Sequence, residues 1–270
     1  MRKLIYHSQH ILSNACPATQ LDPLCKDQFF SSTSQKPTLS TTFSQCLFSE
    51  CSSTTGGAIC VDGRGVSFLN VRNCIFTLCS STAGAGGAIF SRSISSVEVK
   101  NSLFSQCKSK GTTGGEYDGG GICMYSISSP YVSSSSFINN FSQTDAAGIC
   151  IESSNGPIQQ IILDSRFVKC TSEGISADGA GIHMYNNRHT FGVSNCFFAF
   201  CTSTSDGGAI FLSIHSTPIG AVIRFCFFHA NHASNGGRDI FFYRTGSNER
   251  ISLSYTTSPG EKKSLSSELG

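Results

Sequence analysis

Two short strings alternate along this chain at a nearly fixed spacing. One places Phe between flanking cysteines, as in Cys46-Leu47-Phe48-Ser49-Glu50-Cys51, Cys74-Ile75-Phe76-Thr77-Leu78-Cys79 and Cys196-Phe197-Phe198-Ala199-Phe200-Cys201. The other is a small-residue string ending in Ile, as in Gly56-Gly57-Ala58-Ile59, Gly86-Gly87-Ala88-Ile89 and Gly207-Gly208-Ala209-Ile210. The anchoring Phe recurs at 48, 76, 104, 137, 167, 198 and 228, and the anchoring Ile at 59, 89, 122, 149, 182, 210 and 240. A fixed period decides the architecture before any local reading does. Between each Ile and the next Phe lies a stretch such as Val97-Glu98-Val99-Lys100, whose period-two alternation and β-branched residues mark a strand. Three short strands per copy, separated by Ser-, Gly- and Asn-rich corners, make one coil of a parallel β-helix. The expectation is an all-β solenoid of about seven coils.

Stacking in register carries consequences for single columns. The Phe and Ile columns should point inward, at roughly 4.8 Å per coil. The Gly pair, relaxed to Ala146-Ala147 and Gly179-Ala180 in two copies, suits a tight corner with permissive backbone angles. The residue after Ile (Cys60, Phe90, Cys123, Cys150, His183, Phe211, Phe241) is apolar in six copies. Strict alternation puts it outside, which leaves open whether it lines a bend or an exposed apolar stripe. Residues 1–38 lack the unit and read as an irregular leader or incomplete cap. Residues 39–243 form the repeat domain, and 244–270, rich in Ser with Pro259-Gly260, read as a flexible tail.

The paired Gly-Gly-Ala-Ile and Phe-x-x-Asn strings resemble those of the polymorphic outer membrane proteins, surface autotransporter adhesins of intracellular bacteria. Phe137-Ile138-Asn139-Asn140 and Phe228-His229-Ala230-Asn231 carry the second string, and Gly236-Gly237-Arg238-Asp239-Ile240 is similar to the variant that closes such arrays. The resemblance spans about 200 residues. It implies a right-handed, pectin lyase-like β-helix with an adhesive role at a cell surface. The chain departs from the family in two ways: Cys replaces the Asn at 51, 79, 107, 170 and 201, and no membrane β-barrel follows.

Charge narrows the partners. Charged residues make up 13% of the chain and the net charge is +2 with no basic run, so nothing along the sequence marks nucleic acid or anionic lipid as a partner. The expected partner is a protein or glycan ligand on a surface. No apolar run is long enough for a transmembrane helix. The basic start at Met1-Arg2-Lys3 lacks the apolar run of a secretory signal, so either the protein stays inside a cell or the chain is a fragment.

Two columns carry possible chemistry. Among the 14 cysteines, Cys51, Cys79 and Cys107 stack, as do Cys46 with Cys74, Cys123 with Cys150, and Cys196 with Cys226. Parallel stacking holds their Cβ atoms beyond the usual disulfide range of about 3.5–4.5 Å, which favours buried thiols acting as small hydrophobes. Asp118, Asp145, Asp178 and Asp206 each precede the anchoring Ile by four residues. Stacked carboxylates at about 4.8 Å repel by roughly 0.9 kcal/mol per pair even at bulk dielectric. A cation such as Ca²⁺, water or raised pKa values would compensate, and turn residues bonding their own backbone is the plainer alternative. No catalytic residue is assigned. Glu98, Glu152, Asp164 and Glu173 are scattered, Arg166 and Arg188-His189 are isolated, and His229 and His232 lack partners. Two other readings stay open, a polysaccharide lyase or hydrolase and a passive structural spacer.

Overall fold

The alternation of the two strings becomes physical stacking in a computed structural model of the protein. It describes residues 28–31, 39–62, 66–111, 118–152, 160–175, 177–187, 191–214, 220–244, 250–257 and 265–269. Among these there are strands and no α-helix, and every strand pairing is parallel. The anchoring Ile opens each inner strand of a nine-stranded sheet, from Ile59–Asp62 to Ile240–Arg244. The alternating stretches (Ser96–Lys100 is one) and the Phe stretches (Leu103–Ser105) share a 14-stranded sheet. The two series merge in the long strand Gly220–His229. Two-residue strands such as Ser80–Ser81 and Thr202–Ser203 make a seven-stranded third sheet. Each coil thus has four strand segments where three were expected. The extra one arises because the residue after each corner returns to extended backbone for only two positions.

Register holds the columns. Ile59 pairs with Ile89, Ile89 with Ile122, and so on to Ile240; all seven are fully buried. Six of the seven Phe are likewise buried, while Phe48, in the first coil, is half-buried because it is covered from one side only. The seven rings stack with centroids 4.7–5.0 Å apart and interplanar angles of 3–6°. Isolated aromatic pairs prefer offset or edge-to-face geometry, but here backbone hydrogen bonding sets the spacing and the rings follow it.

The corners explain the composition. Among the described residues, seventeen non-Gly residues have positive φ, and fourteen fall in two columns that flank the Phe strand. The first runs Gln45, Asn73, Asn101, Ser134, Asp164, Asn195, Phe225, and the second Glu50, Leu78, Gln106, Asn139, Lys169, Phe200, Ala230. A single left-handed residue turns the chain sharply, and Asn tolerates that conformation best after Gly. The first Gly of the pair does the same at a third corner: Gly56 has φ +63°, and a Cβ there would lie 2.4 Å from the Ile59 carbonyl oxygen. The second is small for another reason, since a Cβ on Gly57 would lie 2.2 Å from the carbonyl oxygen of Gly87 in the next coil.

The residue after Ile belongs to the Ile sheet and faces away from the main core, yet it is buried. Cys60, Phe90, Cys123 and Cys150 pack with Ala85 and Ala146 into a second, smaller core roofed by the small-residue corner. Both ends also hold more strand than composition suggests. Gln28–Ser31, inside the expected leader, pairs with Ile59–Asp62. Arg250–Thr257 and Leu265–Leu269 extend the larger sheets where a flexible tail was expected. The correction has a simple cause: an exposed sheet edge recruits any extended segment with free backbone groups, whatever its side chains.

Candidate functional site: the aspartate corner and the thiol columns

The small-residue corner brings the four Asp onto neighbouring coils, and Asp145, Asp178 and Asp206 form a directional ladder there. Asp145 Oδ1 accepts the backbone N–H of Asp178 at 3.1 Å, and Asp178 Oδ1 accepts that of Asp206 at 2.9 Å. Each carboxylate therefore reaches one coil onward and satisfies a corner amide, a turn-like role exerted between coils. Asp118 is buried against Gly111, whose missing side chain makes the room: a Cβ there would lie 1.3 Å from Asp118 Oδ2. Asp206 forms a parallel bridge with Gly236.

The repulsion between these carboxylates is met by the chain's own base. His183, the one polar residue in the column after Ile, is buried with its Nδ1 3.4 Å from Asp145 Oδ2. Its ring packs edge-on against Phe211, 4.9 Å between centroids. Burial opposes a charged imidazole, but Asp145 and then Asp178 and Glu152 outweigh it and hold the pKa above the ordinary histidine value. Burial pushes Asp178 up to about 6, against the lowering influence of His183. Nothing along the sequence linked His183 to the ladder. The signal available was that a basic residue breaks an apolar column five positions after Asp178. Among the described residues no three of His, Cys, Asp or Glu converge as metal ligands.

The cysteine columns have hydrogen-bonding roles. In the column of Cys51, Cys79, Cys107, Asn140, Cys170, Cys201 and Asn231, Asn140 Oδ1 accepts the N–H of Cys107 at 2.9 Å. Its Nδ2 donates to the carbonyl of Phe104 at 3.2 Å. Cys107 Sγ donates to the equivalent carbonyl of Phe76 at 3.6 Å, and Cys201 to that of Phe167. Thiol replaces amide on the same acceptor, with a weaker bond. In the column of Cys46, Cys74, Ser102, Ser135, Ser165, Cys196 and Cys226, thiol and hydroxyl alike donate to the carbonyl two residues back.

Ten described cysteines are free, and Cys51 and Cys60 are disulfide-bonded. Burial, followed by the neighbouring thiol, holds Cys150 and Cys170 well above the ordinary thiol range. For Cys107 and Cys196 the neighbouring thiol weighs most, then burial. Burial takes Cys74 up to about 11. These thiols stay protonated at neutral pH and lack nucleophilic character.

The remaining acids do not meet. Glu98 is held by Lys100 and by Arg72 at 2.5 Å, and these contacts, Lys100 first, keep its carboxyl below the usual range. Asp164 accepts from Asn195 Nδ2 at 3.1 Å on an exposed corner. Glu152 lines the column of Tyr125 and Tyr185 in the Ile sheet, and Glu173 is exposed beyond the third sheet. His229 packs edge-on against Phe200, whereas His232 sits in the third sheet. Arg188 and His189 lie outside the described residues.

Coils of parallel strands stacked on a continuous apolar core, closed by polar corner ladders, define a β-solenoid of three sheets. The chain belongs to the right-handed β-helix family: the profile described as "Right handed beta helix region" matches residues 29–228. No curated protein and no solved structure shows significant similarity to it. No helix among the described residues is long and apolar enough to cross a membrane.

Proposed function

We propose that this protein is a non-catalytic interaction scaffold, an adhesive β-helix of the polymorphic outer membrane protein type acting at a cell surface or after secretion. The observation that carries the reading is the fate of the stacked carboxylates. Asp145 and Asp178 spend their oxygens on backbone amides and on His183 within a covered corner. Glycosidic cleavage asks for paired carboxylates open to a sugar chain, or an acid cluster with a base to take a proton. The fold itself hosts enzymes and non-enzymes, so the site must decide. Asn140 and Asn231 support the family reading, because each ties its coil to the preceding Phe carbonyl as a recurrent Phe-x-x-Asn string would require. Asn231 Nδ2 also donates to the buried Asp239 Oδ1 at 3.1 Å, which gives the Gly-Gly-Arg-Asp-Ile variant a closing role.

The test is a paired assay on the purified chain. Saturable binding to intact cells or immobilised surface glycans is expected, with no reducing sugar or unsaturated product released from acidic polysaccharides. Turnover of any such polymer would replace the scaffold reading with the enzymatic one.

A further inference from the structure

The face built on the Phe strands breaks its own corner rule at three positions, two of them near its far end. Corner positions held elsewhere by Asn73, Asn101, Asn139 and Asn195 are held by Leu78, Phe200 and Phe225, each with φ 55°. Bulky apolar residues are disfavoured in the left-handed region and equally disfavoured in water. Here both costs fall on the same side chains, which are 45%, 46% and 73% exposed. Phe200 packs against the His229 ring and is still exposed, and local choices that violate folding rules in this way point to function.

Phe200 and Phe225 bracket a strand position where Arg166, Phe197 and Phe227 follow one another on successive coils. The Phe197 and Phe227 rings stack at 5.5 Å with an interplanar angle of 3°, and the Arg166 guanidinium lies 5.8 Å from the Phe197 centroid. Both faces of Phe197 are therefore covered, and its edge points outward. This ridge offers edges and protruding corners, which suit burial in an apolar, yielding medium.

Charge supplies the sign of the partner. Arg166, Lys169 and Arg224 are exposed around the ridge, and none forms an ion pair among the described residues. The acid between them, Asp164, is hydrogen-bonded to Asn195. The linear sequence hides this cluster because Arg224 joins Arg166 and Lys169 on one face only when coils stack.

We propose that the ridge of Phe197, Phe200, Phe225 and Phe227, with Arg166, Lys169 and Arg224, docks onto an anionic lipid bilayer. The aromatic corners enter the headgroup boundary and the cations face the acidic headgroups. The proposal rests on the interaction-scaffold reading and names one surface that such a scaffold would engage.

The experiment is flotation of the full chain with phosphatidylcholine vesicles, with and without phosphatidylserine. Binding is expected only with phosphatidylserine and should fall as salt rises. The double variant Phe200→Asn/Phe225→Asn should lose at least tenfold in partitioning. Its circular dichroism and Tm should be retained, because Asn is the residue those columns use elsewhere. Arg166→Gln, Lys169→Gln and Arg224→Gln should each lower partitioning about fivefold, from roughly 1 kcal/mol per cation. Failure of the wild-type chain to float at low salt, or undiminished binding by the double variant, overturns the lipid assignment. So does self-association that the double variant abolishes, since the ridge would then join copies of this chain. The scaffold reading falls separately, only if the chain cleaves a polysaccharide.

Discussion

Asn140 Oδ1 accepts the backbone N–H of Cys107 at 2.9 Å, while the Cys107 thiol in turn donates to Phe76 one coil further back. One column thus passes the same corner contact between an amide and a thiol, and the amide adds a second bond. Cys170→Asn is expected to fold and to match or exceed the wild-type Tm, because the new Nδ2 inherits the Phe137 carbonyl that Cys170 Sγ now uses. Net hydrogen bonds of this kind contribute about 0.5–1.5 kcal/mol. Thermal unfolding followed by circular dichroism checks it; a Tm loss corresponding to more than about 2 kcal/mol would mean that the sulfur is needed for packing.

Thiol accessibility follows from the same columns. Of the ten free described cysteines, Cys46 alone is half-buried and the rest are buried. With a disulfide reagent, the folded protein should titrate about one of these thiols rapidly. Denaturant without reductant should release at least ten. A denatured count clearly below ten would replace the stacked thiols with disulfides.

Stability should rise on mild acidification. His183 binds its proton more tightly folded than unfolded, so its contribution is complete below pH 6.5 and is lost as pH rises through the higher folded value. Asp178, raised from 3.8 to about 6, also takes up a proton more readily when folded, so between those values stability again falls as pH rises. Glu98 acts oppositely, losing its contribution as pH drops below 4.5. The Tm should therefore peak near pH 4, where the Glu98 gain gives way to the Asp178 loss, and decline toward pH 8. His183→Phe, which matches Phe90 and Phe211 in the same column, should remove the His183 limb and, because His183 lowers the Asp178 pKa, carry the Asp178 limb to higher pH. An unchanged curve in that variant would remove His183 as its source.

Calcium should do little, since the carboxylates already serve backbone amides and Asp145 faces His183. Millimolar calcium is expected to leave the Tm within one degree or so; a rise of several degrees would assign Asp118, Asp145, Asp178 and Asp206 a metal.

At the third corner, Gly207→Ala places a Cβ 2.4 Å from the Ile210 carbonyl at φ +64° and should cost about 1–3 kcal/mol. Ala146→Gly, where an L residue is held at φ 26°, should relieve that strain and match or exceed the wild-type stability. Denaturant unfolding of the two variants side by side gives the comparison.

The core of this molecule could be read from its sequence because each column is one residue type repeated. Phe76 and Phe104, or Ile89 and Ile122, carry the same instruction, and stacking adds nothing but register. The site was less legible because its partners come from different columns. His183 meets Asp145 across a coil boundary, and Cys150 is buried on the outer face of its sheet because a corner roofs it, which alternation alone does not foresee. The fourth strand segment is similarly hidden, since Ser80 and Ser81 have no pattern of their own. Phe200 and Phe225 were visible as letters but not as corners, and only their positive φ sets them apart from Phe198 and Phe228.

The column of seven phenyl rings also acts as a ruler. Because one rung is set by backbone spacing and not by side-chain choice, adding or deleting a whole repeat would lengthen or shorten the rod by one fixed step. Side chains on every outer face would keep their mutual bearing, so duplication offers this lineage new reach without any redesign of what it touches.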